Sequence, residues 1–519
     1  MTNRRALWVV IGVSTLIRLV FAMSMGGLAD EAYYALYARN LDWSYFDHPP
    51  MVGVVAAVGE AMAGWINPVV GLRFGFVMMF AGSSWLLARI TDRFFGMRAA
   101  VLAVLVLNTT VFYGIVVGTL ATPDGPLLFF WLLTIDRLAV AIESERGVGA
   151  WLGVGLAWGL AMLSKYHAIL LPAGAVLYLI VRPSARRLLR TPGPYLATVV
   201  GLAVFSPVIL WNRAHEWASF RFQGARSGGF RGFRPEFLIE AIVGQAGYLL
   251  PWIWLGLVMV LIRLLRSGPR RWSHAEAFLL CQAVPAVFLF LMVATYSQIL
   301  THWPLIGFVA LMPILGRRLA DRLDARPVPI RNWLTAMVAV PILFATLFVA
   351  QANLGLFQDS QGRLAGLLAP QYDLSVDTIR WDQIATELKR RGLPDNSNTF
   401  MFTCNWRYSA ELALALNLDV PVACYHRDAR SFSLWSRPED YIGRDGIYVR
   451  VVESEAPTDY YEPWFTRIER LADFPVTRAG FPMQTVRLYR CVGQTSPYGF
   501  GSKGPVPIPE TRGRIALGR

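Results

Sequence analysis

Two adjacent carboxylates, Asp30 and Glu31, open a stretch with helical periodicity just after the pair Gly26-Gly27. A carboxylate in the first turn of a helix can accept backbone N–H groups, and the positive end of the helix dipole favours it there. A carboxylate in the same place can also act as a general base that takes the proton of an attacking hydroxyl. Both roles are open on the sequence, and we predict a catalytic role for Asp30 and Glu31.

A third acid and an isolated lysine occur further along the same half of the chain. Asp124 follows Pro123 at the start of an apolar segment, where it can cap a helix or serve as a second site carboxylate that orients an acceptor or binds a metal. Lys165 is the only lysine among the first 352 residues. It can extend to the membrane interface or pair with a phosphate. We predict that Asp124 is catalytic and that Lys165 binds phosphate.

Further polar groups lie in two loops. The turn at Asp47 and His48 offers one acid and one imidazole, which can bind a phosphate or a metal, although two ligands are too few to assert a metal site. Around Arg213 and Arg221, basic residues alternate with aromatic ones, as in an aromatic belt or a lid over a lipid headgroup. Asp47 and His48 are weak metal candidates, so no cofactor is certain and a divalent metal is left open.

Membrane-length apolar segments must position these side chains, because 55% of the 519 residues are hydrophobic, only 16% are charged and the mean hydropathy is +0.42. Soluble domains carry about 25% charged residues. A helix needs about 20 apolar residues to cross the hydrocarbon core of a bilayer. The sequence therefore predicts a polytopic α-helical membrane protein with about eleven transmembrane helices. These lie near residues 7–25, 68–88, 98–118, 124–141, 150–164, 166–182, 195–211, 237–262, 276–296, 303–316 and 332–352.

The distribution of charge predicts the orientation in the membrane. Residues 1–352 hold 29 of the 49 Lys and Arg and 16 of the 35 Asp and Glu, so most of the net charge of +14 lies in this half. With a cytoplasmic N-terminus, nineteen arginines fall on the cytoplasmic side and seven Arg or Lys fall on the other, as the positive-inside rule requires. An odd number of spans then places the C-terminus outside. Because the excess positive charge lies in the loops between apolar segments, it indicates membrane lipids, and not nucleic acid, as partners.

The chain is expected to divide into a membrane half and an exported half. We predict a transmembrane domain at 1–352, with two helices lying in the membrane interface at 30–65, and a linker at 353–370. A small α/β domain follows at 371–491, with helices at 379–392 and 406–416 and strands near 399–404, 420–425, 446–452 and 485–491. The Pro- and Gly-containing tail, 492–519, is predicted to be disordered. The exported half contains three cysteines, which allow one disulfide at most, and the pair Cys404 and Cys424 is favoured.

An ordered set of short motifs resembles the bacterial GT-C glycosyltransferases of the dolichyl-phosphate-mannose protein mannosyltransferase type, including the lipid A aminoarabinose transferases. The motifs are Asp30-Glu31-Ala32-Tyr33-Tyr34, Asp47-His48-Pro49-Pro50, Thr122-Pro123-Asp124-Gly125-Pro126, Ser164-Lys165-Tyr166, Ser206-Pro207, Trp211-Asn212 and Thr301-His302-Trp303-Pro304. The sequence departs from those transferases at three positions. Tyr33 stands where they have an arginine, His48 where they have a lysine, and Gln223 near a histidine that helps to hold a metal.

The resemblance implies an enzyme of the bacterial inner membrane that moves a sugar from a polyprenyl-phosphate donor, with inversion at the anomeric carbon. Asp30 then corresponds to the essential acid, Asp124 to the second acid and Lys165 to a lysine near the donor phosphate. The resemblance further implies that His48, Arg213 and Arg221 join Lys165 in binding this phosphate. The acceptor is left open between lipid A or lipopolysaccharide, another envelope glycan and a protein hydroxyl. A flippase for lipid-linked sugars and a non-catalytic assembly subunit are the alternatives, and the exported domain is expected to be periplasmic.

The orientation can be tested by reporter fusions. Alkaline phosphatase joined after residue 353 should be active, because the charge asymmetry places this part of the chain in the periplasm. A cytoplasmic reporter at the same point should be silent. The opposite pattern would overturn the orientation and would distribute the predicted site residues over both faces of the membrane.

Overall fold

The structure is a computed structural model, and it describes residues 2–143, 147–226, 229–230, 232–358, 373–452 and 458–500. The chain divides into two compact units. The first, called here the helical unit, comprises residues 1–22 and 41–345. The second, called the mixed unit, comprises residues 23–40 and 346–519. The first helix of the predicted interface pair therefore clusters with the C-terminal residues.

The chain is mainly helical as far as residue 354. All of these helices except Ala29–Arg39 lie wholly or mainly in the helical unit. They are α1 (Asn3–Met23), α2 (Ala29–Arg39), α3 (Met51–Ala63), α4 (Pro68–Phe95), α5 (Met97–Asn108), α6 (Asp124–Glu143), α7 (Val148–Ser164), α8 (Leu170–Val181), α9 (Gly193–Ala214), α10 (Ala218–Arg226), α11 (Pro235–Leu249), α12 (Pro251–Ser267), α13 (His274–Ala294), α14 (Leu305–Phe308), α15 (Met312–Ala325) and α16 (Pro327–Leu354). The predicted interface helices at 30–65 occur as α2 and α3, and their position at a membrane surface stays a prediction.

The described residues contain six helices that are long and apolar enough to cross a membrane, namely α1, α4, α6, α9, α13 and α16. The number rises to nine if each of three sharply bent helix pairs counts as one span. This is a multi-pass membrane protein, but the prediction of about eleven spans is too high by this measure. The predicted span at 150–164 is the 17-residue helix α7, and the one at 303–316 is broken into α14, a short 3-10 helix and α15.

One bend shows why a continuous apolar segment need not be a straight helix. The sequence predicted a single span at 237–262, whereas α11 and α12 meet at 113° around Leu250. Pro251 has no backbone N–H to continue the helix, and a residue before proline is pushed away from helical backbone angles. Leu250 has a ψ of 133°, as expected before proline, and a φ of +67°, which lies in the left-handed region.

A second bend is stabilised by a buried arginine. Helix α5 and the π-helix at Val111–Val117 meet at 69°, which leaves backbone carbonyls without their usual helical partners. Arg18 in α1 donates from Nε to the carbonyl of Gly114 at 2.9 Å and from Nη2 to that of Asn108 at 3.3 Å. Burying a guanidinium is costly unless it is hydrogen-bonded in this way. The arginine therefore ties α1 to the bend.

The mixed unit contains α2, the remaining helices and one five-stranded sheet. Its later elements are α17 (Asp377–Arg390), β1 (Thr399–Thr403), α18 (Trp406–Ala415), β2 (Val422–Cys424), α19 (Phe432–Trp435), β3 (Asp445–Val451), β4 (Phe465–Arg478) and β5 (Phe481–Gln494). The strand order is β2-β1-β3-β5-β4, with β1 parallel to β2 and β3 and with β5 antiparallel to β3 and β4. The predicted fold class, a polytopic helical protein with a small C-terminal α/β domain, is confirmed.

Three details of the C-terminal prediction differ from the structure. Strand β4 was not predicted, because its polar and exposed residues hide the alternation of a half-buried strand. The tail was predicted to be disordered from residue 492, but β5 continues to Gln494 and Tyr498 stacks on Tyr425 with ring centroids 4.5 Å apart. All four cysteines of the chain are thiols, so the favoured disulfide is not formed. The predicted linker lies largely outside the described residues.

A buried ion pair stabilises the mixed unit. Nη1 of Arg478 lies 2.7 Å from Oδ2 of Asp373, and both side chains are almost fully buried. Ser375 and Gln351 also donate to this carboxylate. Burial alone would raise the pKa of Asp373, but the hydrogen bonds from Ser375, Gln351 and Arg478 outweigh it and lower the pKa below its usual value.

Replacing Arg478 with methionine should destabilise the mixed unit by about 3 to 5 kcal/mol, because it leaves the Asp373 carboxylate buried without its cation. Pulse proteolysis of the full chain in urea measures this free energy. The control is Arg467→Met on the same strand, where the side chain is 65% exposed and pairs with Glu469. That change should cost less than about 1 kcal/mol. Equal effects of the two substitutions would contradict a stabilising role for the buried pair.

Candidate functional site

The helical unit places Asp124 at the first residue of α6. Pro123 ends the preceding segment, and the N–H of Gly125 donates to the carbonyl of Thr122 at 3.0 Å, which closes a tight turn before the helix. The first turn of a helix presents free N–H groups and favours a negative charge. The local sequence therefore directs a carboxylate to the end of an apolar helix.

Lys165 is held at the break between α7 and the 3-10 helix at Tyr166–Ile169. It has the extended angles φ −161° and ψ 141°, and Trp158 donates from Nε1 to the carbonyl of Ala168 at 3.0 Å across the break. The Lys165 ammonium donates to both carboxylate oxygens of Asp124, at 2.9 and 2.8 Å. The two side chains are 7% and 18% exposed. The structure thus brings together two of the predicted site residues as a buried, bidentate ion pair.

Two histidines share the environment of this pair. Nε2 of His302 is 3.9 Å from Oδ2 of Asp124, and its ring stacks on Phe112 with centroids 5.2 Å apart. Burial lowers the pKa of both His302 and His48 to about 4. The positive charge of Lys165 acts on both imidazoles in the same direction. Both rings are therefore neutral at neutral pH, so they can donate or accept a hydrogen bond but add no positive charge.

A second cation near the pair is Arg226, the last residue of α10. Its charge acts on His48 and His302, and its guanidinium lies over the ring of Trp303 at 5.4 Å. Helix α10 is held against the 42–48 turn by a hydrogen bond from the Gln223 side chain to the carbonyl of Asp47. No individual role was predicted for Arg226, His302 or the neighbouring His167.

A sequence signal for these residues did exist. Thr301-His302-Trp303-Pro304 is one of the motifs of the resemblance, and His167 follows Lys165 by two positions. Polar residues in or beside apolar segments mark a functional site by default, and that rule covers His302 and His167 as well as Asp124. Arg226 carried no such distinction, because six other basic residues share its predicted face of the membrane.

The two other predicted arginines lie apart from the ion pair. Arg213 is exposed, and Arg221 is exposed and pairs with Glu216 at 3.5 Å. In the part of the chain that the structure describes, neither of them contacts Asp124 or Lys165. Asp47 is buried and His48 is half-buried. Among the described residues no group of three or more His, Cys, Asp or Glu is placed to hold a metal, and Asp47 with His48 alone does not fit a divalent ion.

The two adjacent acids belong to the mixed unit and have different environments. Glu31 is buried, and its Oε2 accepts the backbone N–H of Leu28 at 3.1 Å, which caps α2. Asp30 is 58% exposed and lies 3.9 Å from Nε of Arg407. Gly26 positions this helix, since a Cβ at that residue would come within 2.1 Å of the carbonyl oxygen of Thr378. Of the two acids, Asp30 is the one accessible to a ligand.

Residues 47–211 match the family of dolichyl-phosphate-mannose-protein mannosyltransferases, and this range includes Asp124 and Lys165. The chain is also similar to the lipid A galacturonosyltransferase RgtD of Rhizobium johnstonii, with 27% identity over 321 residues. That match covers 60% of this chain and 64% of the relative, so the chain spans less than two thirds of the relative's length.

Two solved structures have a similar fold. They are ArnT from Cupriavidus metallidurans in the apo state and bound to undecaprenyl phosphate. The first has a TM-score of 0.62 at 18% identity and covers 94% of this chain and 98% of ArnT. The second has a TM-score of 0.62 at 16% identity and covers 93% and 97%. The match over residues 47–211 and the fold shared with ArnT agree with the resemblance to the bacterial GT-C glycosyltransferases.

Proposed function

We propose that the chain is a membrane glycosyltransferase that moves a sugar from a polyprenyl-phosphate donor to lipid A or lipopolysaccharide. The reaction takes place on the outer face of the bacterial inner membrane, with the N-terminus in the cytoplasm and the C-terminal domain in the periplasm. An acceptor hydroxyl attacks the anomeric carbon, the bond from that carbon to the phosphate oxygen breaks, and polyprenyl phosphate leaves. In-line attack inverts the anomeric centre.

The observation that carries this proposal is the ammonium of Lys165, which donates to both carboxylate oxygens of Asp124 in a largely buried site. An ionised group at membrane depth is costly, and proteins that keep one generally use it to bind or react. A compact ammonium is well suited to a phosphate, and its charge stabilises the negative charge that develops on the departing phosphate. We assign this role to Lys165, with Arg226 as a second cation.

The remaining predicted residues take lesser roles on the donor side. Asp124 holds Lys165 in position, and the neutral His48 ring can donate one hydrogen bond to a phosphate oxygen. Arg213 and Arg221 are exposed, and we assign them to the attraction of anionic lipid headgroups, which acts at longer range than a direct contact. Asp47 is not assigned a ligand.

On the acceptor side we assign the general base to Asp30. Its carboxylate is accessible and therefore free to take the hydroxyl proton, whereas the Glu31 carboxylate is engaged at the start of α2. Glu31 supports the reaction indirectly, because it fixes the helix that carries Asp30. The identity of the substrates rests on the relatives: RgtD acts on lipid A, and one ArnT structure contains undecaprenyl phosphate.

Asp30→Asn should lower the transfer rate by at least about 100-fold, because the amide keeps the size of the side chain but cannot take a proton. The measurement uses membranes from a deletion strain that expresses each variant, with mass spectrometry of lipid A. The matched control is Asp419→Asn, an exposed acid of the mixed unit. It should transfer at the wild-type rate.

The same experiment separates the enzyme from a flippase for lipid-linked sugars. A flippase needs a cation for the lipid phosphate but no base, so it predicts an unchanged lipid A modification with Asp30→Asn. That result, in a variant expressed at the wild-type level, would remove Asp30 from the mechanism. The mass added to lipid A by the wild-type chain identifies the sugar.

Lys165→Met should weaken binding of undecaprenyl phosphate by about 2 to 5 kcal/mol, because the charge pair with the phosphate would be buried. Lys165→Arg should recover part of the loss. Lys389→Met, which removes an exposed lysine of α17, should have no effect. The measurement is titration of purified variants with undecaprenyl phosphate.

A further variant separates binding from folding. Lys165→Met alone leaves the Asp124 carboxylate buried without its cation and should destabilise the protein. Adding Asp124→Asn removes that charge, so the double variant should regain stability without regaining lipid binding. Recovery of both properties would mean that Lys165 has a structural role only.

A further inference from the structure

Arg407, the second residue of α18, lies beside Asp30 and has no assigned role in transfer. Its Nε is 3.9 Å from Oδ1 of Asp30, and the two side chains are 47% and 58% exposed. This distance is too long for a hydrogen bond. Among the residues that the structure describes, Asp30 is the ion-pair partner of Arg407, so the N–H donors of this guanidinium remain accessible to a ligand.

A second arginine packs against the same aromatic side chain. The guanidinium carbon of Arg430 lies 3.8 Å from the ring centroid of Trp406, and that of Arg407 lies 5.1 Å from it. Such cation–π contacts restrict a long side chain that would otherwise be mobile. The ring of Tyr33 is 4.9 Å from that of Trp406. One buried indole therefore contacts two guanidinium groups, of which Arg407 lies beside Asp30 and Arg430 lies 3.9 Å from Oδ1 of Asp428.

The turn that carries Arg430 is held in an unusual conformation. Arg430 has a φ of +49°, in the left-handed region that residues other than glycine rarely adopt. The next residue, Ser431, donates from its N–H to the hydroxyl of Tyr33 at 3.1 Å, and this hydroxyl donates to Oγ of Ser431 at 2.9 Å. A strained residue persists where its surroundings fix it, and such residues concentrate at binding sites.

The start of α18 adds to the positive potential. Asn405 caps this ten-residue helix by accepting the N–H of Arg407 at 2.9 Å, so the positive end of the helix lies at the two arginines. Two guanidinium groups with a helix N-terminus are suited to an oxyanion that accepts several hydrogen bonds at once, which is the chemistry of a phosphate group.

We propose that Arg407 and Arg430, packed on Trp406, bind a phosphate group of the acceptor lipid beside Asp30. The inference rests on the proposed function, in which Asp30 takes the proton of the acceptor, so a ligand group next to Asp30 belongs to the acceptor and not to the donor. The guanidinium of Arg407 also offsets the repulsion between the phosphate and the Asp30 carboxylate. The two arginines thereby select acceptors that carry a phosphate near the reacting hydroxyl.

The test measures lipid binding and needs no sugar donor. The full chain is placed in phosphatidylcholine nanodiscs and titrated with three probes: bisphosphorylated lipid A, dephosphorylated lipid A and undecaprenyl phosphate. Arg407→Gln and Arg430→Gln should each weaken binding of bisphosphorylated lipid A by about 10- to 100-fold, the range for loss of a hydrogen bond to a charged group. Binding of the other two probes should not change, and Arg407→Lys should restore part of the loss.

Arg427→Gln is the matched control, because it removes an exposed arginine from the same loop as Arg430. It should bind all three probes as the wild type does. Unchanged binding of bisphosphorylated lipid A by Arg407→Gln would overturn the proposal, and so would equal weakening of the phosphorylated and dephosphorylated forms. Weaker binding of undecaprenyl phosphate would assign the arginines to the donor and would also overturn it.

Two further measurements keep the outcomes distinct. If Arg430→Gln lowers the thermal stability of the chain, Arg407→Gln alone decides, since its side chain is half exposed and outside the core. The proposed function fails separately, when Asp30→Asn retains transfer. If transfer requires Asp30 but binding of lipid A does not require Arg407, the proposed glycosyltransferase function is retained and the phosphate site is excluded.

Discussion

The ammonium of Lys165 lies 2.8 and 2.9 Å from the two oxygens of Asp124, and this contact determines what the surrounding residues can be. Either charge alone would be very costly in a site from which water is largely excluded, so each requires the other. The pair also accounts for its neighbours. Aromatic rings and neutral imidazoles can pack around it without adding charge, and His302 stacked on Phe112 does so.

The helical unit neutralises its other buried charges in different ways, and the contrast is informative. Arg18 and Arg73 donate to backbone carbonyls, the first at a helix bend and the second to Ala22 at 2.8 Å. Asp136 is fully buried and pairs with Arg89 and Arg137. In these cases the partner is a structural element or a guanidinium that is partly exposed. The Lys165 ammonium differs, because its only ion-pair partner among the described residues is the Asp124 carboxylate at the start of a helix. A phosphate placed there can contact the same ammonium.

Much of the fold was predictable from the sequence, and the errors have physical causes. Apolar segments were located well because their composition reflects the membrane, but their continuity was not, since a proline such as Pro251 bends a segment without changing its hydropathy. Strand β4 lacks the alternation that marks a half-buried strand, because its pairing with β5 comes from backbone hydrogen bonds and long-range register.

The candidate site was predictable in part for a related reason. Asp124 and Lys165 were identified because ionisable residues are rare in membrane helices, and the structure pairs them. The position of Arg226 was not predictable, because loop arginines are numerous and only folding brings this one over Trp303. Ionisable residues are rare in apolar segments, so a site residue there can be recognised from the sequence. Charged residues are common in loops, so the structure is needed to show which of them lie near the site.

Helix geometry gives the adjacent acids Asp30 and Glu31 different environments. Successive side chains on a helix point about 100° apart, since there are about 3.6 residues per turn, so two adjacent acids in a first turn cannot both face the same environment. Glu31 has the longer side chain and returns to cap the helix at Leu28, which leaves Asp30 on the accessible side. The capped first turn restricts the backbone from which the Asp30 side chain extends. A general base requires that restriction, because proton transfer depends on hydrogen-bond distance to the reacting hydroxyl. The structural role of one acid is therefore what makes a chemical role for the other feasible.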